Sequence, residues 1–419
     1  MKRNIDIIYF TLFRWKSEFS SISHAFGKEL ANQGARVFYI GHPFTYKYLL
    51  KSESRSKLNE GVSQAFKLHE EEVKNVPADF HSMIAPLVAP INWIPPGKMY
   101  DYMLHKNEDK IRSAIDQIIE ENDIKEYVFI NCFNPFFPNV ASKRLPPLLN
   151  IYQSVDDISQ NAYTLRHGVE LEKKIARESD MVMVTSTNLK TIMSEYNNNI
   201  EILHNAADVD NFTKAFTDEF ERPDEIKNVT GDIIGFTGAL DPVRINYGLL
   251  GDIADTYPDK TLLLVGPYQQ DLIQKAGLDQ RRNIILTGSK HISQLPQYVH
   301  FMDTLIIPFY CNQLTKSIYP LKINEYLASG RSVISTNFSV DITGFKNVIH
   351  LVDSDQAFID KIPAAIKDKE PKDIEARISV AKTNTWKKRV EQFWNIINNQ
   401  LVTLPNKHTS DLETNKISK

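Results

Sequence analysis

Three groups of residues in this 419-residue chain have types and spacing that could do chemistry. Lys322 and Glu325 stand three apart in YPLKINEYLASGRSVIST, residues 319–336, a spacing that makes them neighbours on one face of a helix. A lysine in a first helical turn adds a full charge to free N–H groups and the positive end of the dipole, a setting for phosphate. A carboxylate one turn later can accept hydrogen bonds from a sugar diol. The structural alternative is an exposed ion pair worth about 0.2–0.5 kcal/mol. Asp156 and Asp157 directly follow the apolar run 149–153, and a carboxylate at a strand end can serve as a general base. Consecutive side chains diverge there, so one of the pair is expected to face a site; alternatively both cap the next segment. Gly238, Gly266 and Gly288 each close an apolar run, where a missing side chain lets ligand or backbone come close.

These residues need rigid elements beneath them. Pro320 suits the first position of a helix, Gly330 its left-handed C-terminal cap, and 332–336 has the β-branched content of a buried strand. On that helix Leu321, Leu327 and Ala328 are expected against a sheet, with Lys322 and Glu325 on the other side. Upstream, the pattern predicts a strand at 6–10, a helix at 20–33 ending at Gly34, and a strand at 36–40. A helix at 106–121, strands at 126–131 and 149–153, a helix at 169–178, a strand at 181–185, a helix capped by Ser186 and a strand from 200 follow. The charged stretch after it, with Asp208 and Asp210, reads as a linker. His204 at that strand's end reads as structural. The second half then restarts, with strands at 232–237, 261–265, 283–287 and 304–307 and helices at 247–256 and 293–302. Alternation of this kind implies α/β architecture with a doubly wound parallel sheet in each half.

Bulk properties exclude several classes. The length favours two domains. A formal net charge of -3 gives no reason to expect nucleic acid as partner. Cys132 and Cys311 have no disulfide or zinc spacing, which suits a reducing compartment. The start, MKRNIDIIYFTLFRWK, reads as a first strand, not a signal peptide, because Asp6 interrupts the apolar run. No apolar run reaches the length of a membrane span. Residues 83–96, MIAPLVAPINWIPP, are apolar but too short to cross; they read as a buried connection, or as a loop that dips into lipid or receives an apolar acceptor. No GxGxxG follows the first strand, which removes most support for NAD chemistry.

Taken together, IYQSVDD at 151–157, the segments 202–212 and 236–250, and above all 320–336 resemble the GT-B glycosyltransferases, within them the group known as family 4, with some likeness to xanthan-type glucuronosyltransferases. The resemblance runs over roughly residues 1 to 400. It implies two Rossmann-like doubly wound parallel-sheet domains facing a cleft, with the acceptor on 1–207 and the donor on 208–384. A helix at 385–401 would return to the first domain, and 402–419 would be a disordered tail. The implied donor contacts are Gly238, Arg244, Gly266, Ser317, Pro320, Leu321, Lys322 and Glu325, with Lys322 near the diphosphate and Glu325 on the ribose. Departures from the family pattern are Ser317 where a first glutamate is usual, Ile245 where lysine follows Arg244, and Asn205-Ala206 in place of Asn-Gly.

The expected function is transfer of a sugar from a nucleoside-diphosphate sugar, UDP-sugar as first guess, to a hydroxyl of a glycan or lipid-linked acceptor. Asp156 or Asp157 is the expected base or acceptor-positioning group. No cofactor and no metal is expected, because Asp156-Asp157 is a bare pair and Asp208 and Asp210 lie in the stretch read as a linker; loss of activity on dialysis against a chelator would overturn that. A cytoplasmic place with peripheral contact to the inner membrane face completes the expectation. The alternatives are an epimerase or phosphorylase on the same scaffold, a binding protein, or an inactive GT-B scaffold.

Overall fold

The structure is a computed structural model and describes residues 5–16, 22–50, 67–160 and 162–403. The chain divides into two compact units. One comprises residues up to Thr185, Leu189–Leu203 and the chain from Val390; the other comprises Ser186–Asn188 and His204–Arg389.

The first unit is built on an eight-stranded sheet in the order β3-β4-β2-β1-β5-β6-β7-β8. Its strands are β1 Asp6–Thr11, β2 Val37–Ile40, β3 His69–Glu71, β4 Phe80–Ile84, β5 Tyr127–Cys132, β6 Leu149–Ser154, β7 Met181–Val184 and β8 Ile200–Ile202. Strands β2 and β5 are buried at every residue, as expected where helices cover both faces of a parallel sheet. All pairings are parallel except β3 with β4. That antiparallel edge strand is one the sequence pattern does not predict. HEE is too short and too polar to show strand periodicity, and its pairing is decided by β4 beside it.

The second unit carries six parallel strands in the order β11-β10-β9-β12-β13-β14. They are β9 Ile233–Thr237, β10 Thr261–Val265, β11 Ile284–Leu286, β12 Thr304–Ile307, β13 Ser332–Thr336 and β14 His350–Val352. This is the 3-2-1-4-5-6 order of a dinucleotide-type sheet, whose switch point lies between the first and fourth strands. Here those are β9 and β12.

Several element boundaries differ from the sequence expectation. The helix expected at 106–121 is Lys98–Glu121. Its first turns expose Met99 and Tyr102, which hides the apolar period, and the chain enters it through Gly97 at φ 145. The stretch read as a linker holds the helix Val209–Thr217, capped by Asp208, whose carboxylate accepts from Asn211 N at 3.2 Å. Val209, Phe212 and Ala215 enter the core, so this stretch is part of the second unit. The helix expected at 293–302 is shorter, Leu295–His300 after a 3-10 turn. The C-terminal helix is Trp386–Thr403 and buries Val390, Phe393 and Ile397. Phe393 meets the ring of Phe26 edge-on, centroids 5.4 Å apart. The expected tail from 402 and the start of the helix expected from 20 fall largely outside the described residues. Among the described residues no helix is long and apolar enough to cross a membrane.

Candidate functional site

The site in the second unit forms where β9 ends. Tyr326 is fully buried, and its hydroxyl accepts from Thr237 N at 2.9 Å, which ties the helix Leu321–Ala328 to the end of that strand. Ile323, Leu327 and Ala328 are also fully buried, while Leu321 is only half-buried. The core face is therefore 323, 326, 327 and 328, not the expected one through Leu321. Pro320 is the N-cap at φ -77 and ψ 92 and not the first helical residue; no side chain caps this end.

The chain leaves β9 through Gly238, at φ 132, and Gly238 N donates to Val265 O at 2.7 Å. A Cβ at Gly238 would fall on Nζ and Cε of Lys322, and one at Gly266 would fall on the carbonyl of Gly238. Both glycines are needed for this close approach. Lys322 is thus brought over the loop after β9, with its ammonium 5.7 Å from the ring centroid of Phe236. Lys322 and Glu325 form no ion pair or hydrogen bond with any described residue, and Glu325 is only 7% exposed. The exposed-pair alternative does not describe them. Burial lowers the pKa of Lys322, with Glu325 opposing and Arg244 adding to the shift. Burial raises that of Glu325, with Lys322 opposing and Asp208 adding.

Charges held out of water normally carry hydrogen-bonded partners. Here a cation and a carboxylate share one corner and neither has an ion-pair or hydrogen-bond partner among the described residues, which suits a ligand that brings both anionic oxygens and hydroxyl donors. Arg244 stands near them, its Nε 3.4 Å from Asp241 Oδ2 and without a hydrogen bond. Its backbone is held by Tyr310 N, which donates to Arg244 O at 2.8 Å.

The remaining expected residues are placed differently. Ser317 is fully buried and its hydroxyl accepts from Asn188 Nδ2 at 2.8 Å. Tyr319, next to Pro320, stacks on His204 with centroids 4.4 Å apart. Asp156 and Asp157 belong to the first unit, just beyond β6. Asp157 Oδ1 accepts from Ser159 N at 3.0 Å and from Ser159 Oγ at 2.6 Å, so it caps the 3-10 turn Ile158–Gln160. Asp156 is half-buried. Sequence reasoning missed Asp208 and Phe236. The first lay in a stretch without clear period, and the second is one apolar residue among five in its strand.

Residues 231–368 match the family described as glycosyl transferases group 1. A stretch of 108 residues is 31% identical to TuaH of Bacillus subtilis, assigned to teichuronic acid biosynthesis as a glycosyltransferase. That alignment spans 26% of this chain and 27% of the relative. Among solved structures, the chain resembles the sucrose-phosphate synthase of Thermosynechococcus elongatus (TM-score 0.65, 14% identity, 95% of this chain and 100% of that one). It also resembles Anabaena HepE in complex with UDP (TM-score 0.61, 11% identity, 94% and 100%) and WaaG, a glycosyltransferase involved in lipopolysaccharide biosynthesis (TM-score 0.56, 12% identity, 93% and 99%).

Proposed function

We propose that this chain, a GT-B fold whose residues 231–368 form a group 1 glycosyl transferase domain, moves a sugar from a nucleoside-diphosphate sugar to a hydroxyl acceptor in glycan synthesis. The observation that carries the reading is the placement of half-buried Lys322 and buried Glu325 at the end of β9, neither with an ion-pair or hydrogen-bond partner among the described residues.

In this reading Lys322 and Arg244 meet the diphosphate and stabilise the charge that develops on it as the glycosidic bond breaks. Glu325 accepts the ribose hydroxyls. Backbone N–H groups following Gly238 complete the diphosphate seat. These groups supply the positive charge without a resident metal ion. UDP is the first choice of nucleotide, because HepE and a trehalose-6-phosphate protein of E. coli, with the same fold, were solved with UDP and with UDP-2-fluoro glucose. Asp156 or Asp157, at the end of β6, serves the acceptor hydroxyl, and the Asp157 carboxylate also accepts from Ser159. Peripheral contact with the inner membrane face is supported by exposed Trp93, Met99 and Tyr102 beside Lys98 and Lys106.

A thermal-shift screen against UDP, GDP, ADP, CMP and dTDP sugars tests the proposal. The expected outcome is a rise in Tm with UDP-sugars that grows with ligand concentration. A flat response to all five would overturn the transferase reading.

A further inference from the structure

Arg244 and Lys322 reach the end of β9 by different routes. Lys322 is admitted by the missing side chain of Gly238, whereas Arg244 rides on the turn that joins β9 to the helix Tyr247–Thr256. That turn is closed by its own backbone: Arg244 N and Ile245 N both donate to Asp241 O, at 3.0 and 2.8 Å. The segment leaving β12 clamps it from the other side. Tyr310 N donates to Arg244 O and Asn246 N donates to Pro308 O, each at 2.8 Å, and Ile245 bridges to Phe309. The backbone under Arg244 is therefore fixed from two directions.

Its side chain is held by one contact. The side chain is 43% exposed, and its guanidinium makes no hydrogen bond with any described residue. Lys322 is close enough for the two cations to repel, since Arg244 adds to the lowering of the Lys322 pKa. Left alone, that repulsion would turn Arg244 outward into water. Asp241 opposes it, with Oδ2 3.4 Å from Arg244 Nε. The carboxylate is itself tied down, because Oδ1 accepts from Val243 N at 3.1 Å. One oxygen anchors Asp241 to the turn, and the other faces the guanidinium three residues on.

This arrangement has a cost. A carboxylate 37% exposed stands beside a seat assigned to a diphosphate, where like charge weakens binding. An exposed ion pair adds little to stability, so folding does not offset that cost. Ordering of the arginine does. A long side chain already aimed at the ligand loses less freedom when the ligand arrives, and a guanidinium set beside a second cation can meet phosphate oxygens directly.

We propose that Asp241 is a positioning residue for the sugar-nucleotide site: its carboxylate holds the Arg244 guanidinium beside Lys322, so that both cations are in place before the diphosphate arrives. This rests on the proposed function, in which Arg244 meets that diphosphate. Two simpler roles make different predictions. A role in the turn alone is met by any side chain that accepts from Val243 N. Plain electrostatics has diphosphate binding tighten when the carboxylate is removed. Positioning has it weaken, and only while Arg244 is present.

A double-mutant cycle on the full chain tests the assignment. Asp241→Asn keeps an oxygen for Val243 N and loses the charge that faces Arg244. Titration calorimetry with UDP, ADP, GDP and dTDP first finds the diphosphate that the parent chain binds most tightly. That nucleotide is then titrated into Asp241→Asn, Arg244→Met and the variant carrying both. The expected result is that Asp241→Asn weakens binding at least ~3-fold in the parent background, the scale of ordering one long side chain. In the Arg244→Met background the same substitution should leave binding unchanged or tighter, because only a like charge is then removed. Weakening by the same factor in both backgrounds would show that the substitution acts through the turn, and would overturn the assignment. So would binding that is unchanged or tighter in Asp241→Asn alone. Either of those results beside a parent chain that binds the diphosphate removes this role and leaves the donor reading standing. No diphosphate binding by the parent chain would remove the donor reading and this role with it.

Discussion

Lys322 sits where two requirements meet. Its helix position is set by Ile323 and Tyr326 packing inward, and its ammonium is admitted only because residue 238 has no side chain. The side chain is half-buried and has no ion-pair or hydrogen-bond partner among the described residues, so it adds little to stability and is available to an anion. Lys322→Met should weaken UDP affinity by at least ~10-fold, the size of a charge-assisted hydrogen bond to phosphate, when read by titration calorimetry. Tm should stay level or rise, because a desolvated charge has been removed. Unaltered UDP affinity in a folded variant would refute the role given to this residue.

At the scale of elements, the helix Gly168–Glu178 is joined to β6 by a buried carboxyl. Tyr152 OH donates to Glu172 Oε1 at 2.7 Å and Ser154 Oγ donates to it at 3.1 Å. Burial raises the pKa of Glu172 to about 7, against the two hydrogen bonds, with Asp157 adding to the rise. The native state then holds a proton that the unfolded chain has lost once pH exceeds about 4.5. Stability from this group is complete below that pH and falls as pH rises toward 7. A shift from about 4.5 to about 7 corresponds to roughly 3 kcal/mol. Glu172→Gln, which stays neutral, should flatten the decline in unfolding free energy between about pH 4.5 and about 7. A decline as steep as in the parent chain would show that Glu172 does not titrate there. The helix Leu321–Ala328 is joined to its own sheet differently, through the neutral contact of Tyr326 with Thr237.

At the scale of the whole molecule, the division into units does not follow chain order. The chain completes the second unit at Arg389 and its final helix supplies core residues to the first. Phe393 is fully buried and rests edge-on against Phe26, so the first unit's core is completed by residues far along the chain from its sheet. Phe393→Ala should cost about 3–5 kcal/mol in denaturant unfolding, the cost of an emptied aromatic site. A loss below about 1 kcal/mol would mean that this helix contributes little to the first unit's core.

By itself the sequence determined the alternation of strands and helices, because parallel strands buried on both faces read as apolar runs and their helices keep a 3.6-residue period. Strands β10, β12 and β13 and the helix Tyr247–Thr256 lie where the pattern puts them. The sequence also determined that Lys322 and Glu325 share a helix face and that glycines close β9 and β10, since local spacing fixes both. Tertiary structure alone decided the rest. It placed β3 antiparallel at the sheet edge and drew the helix Val209–Thr217 into the core, bringing Asp208 close enough to raise the pKa of Glu325. It turned Ser317 toward Asn188 and Asp157 onto Ser159, and among the described residues it left Asn92 Oδ1 buried without a hydrogen bond. Local periodicity records which residues avoid water. Which polar atoms then lack a partner depends on contacts between segments far apart in the chain, and those exist only once the fold has closed.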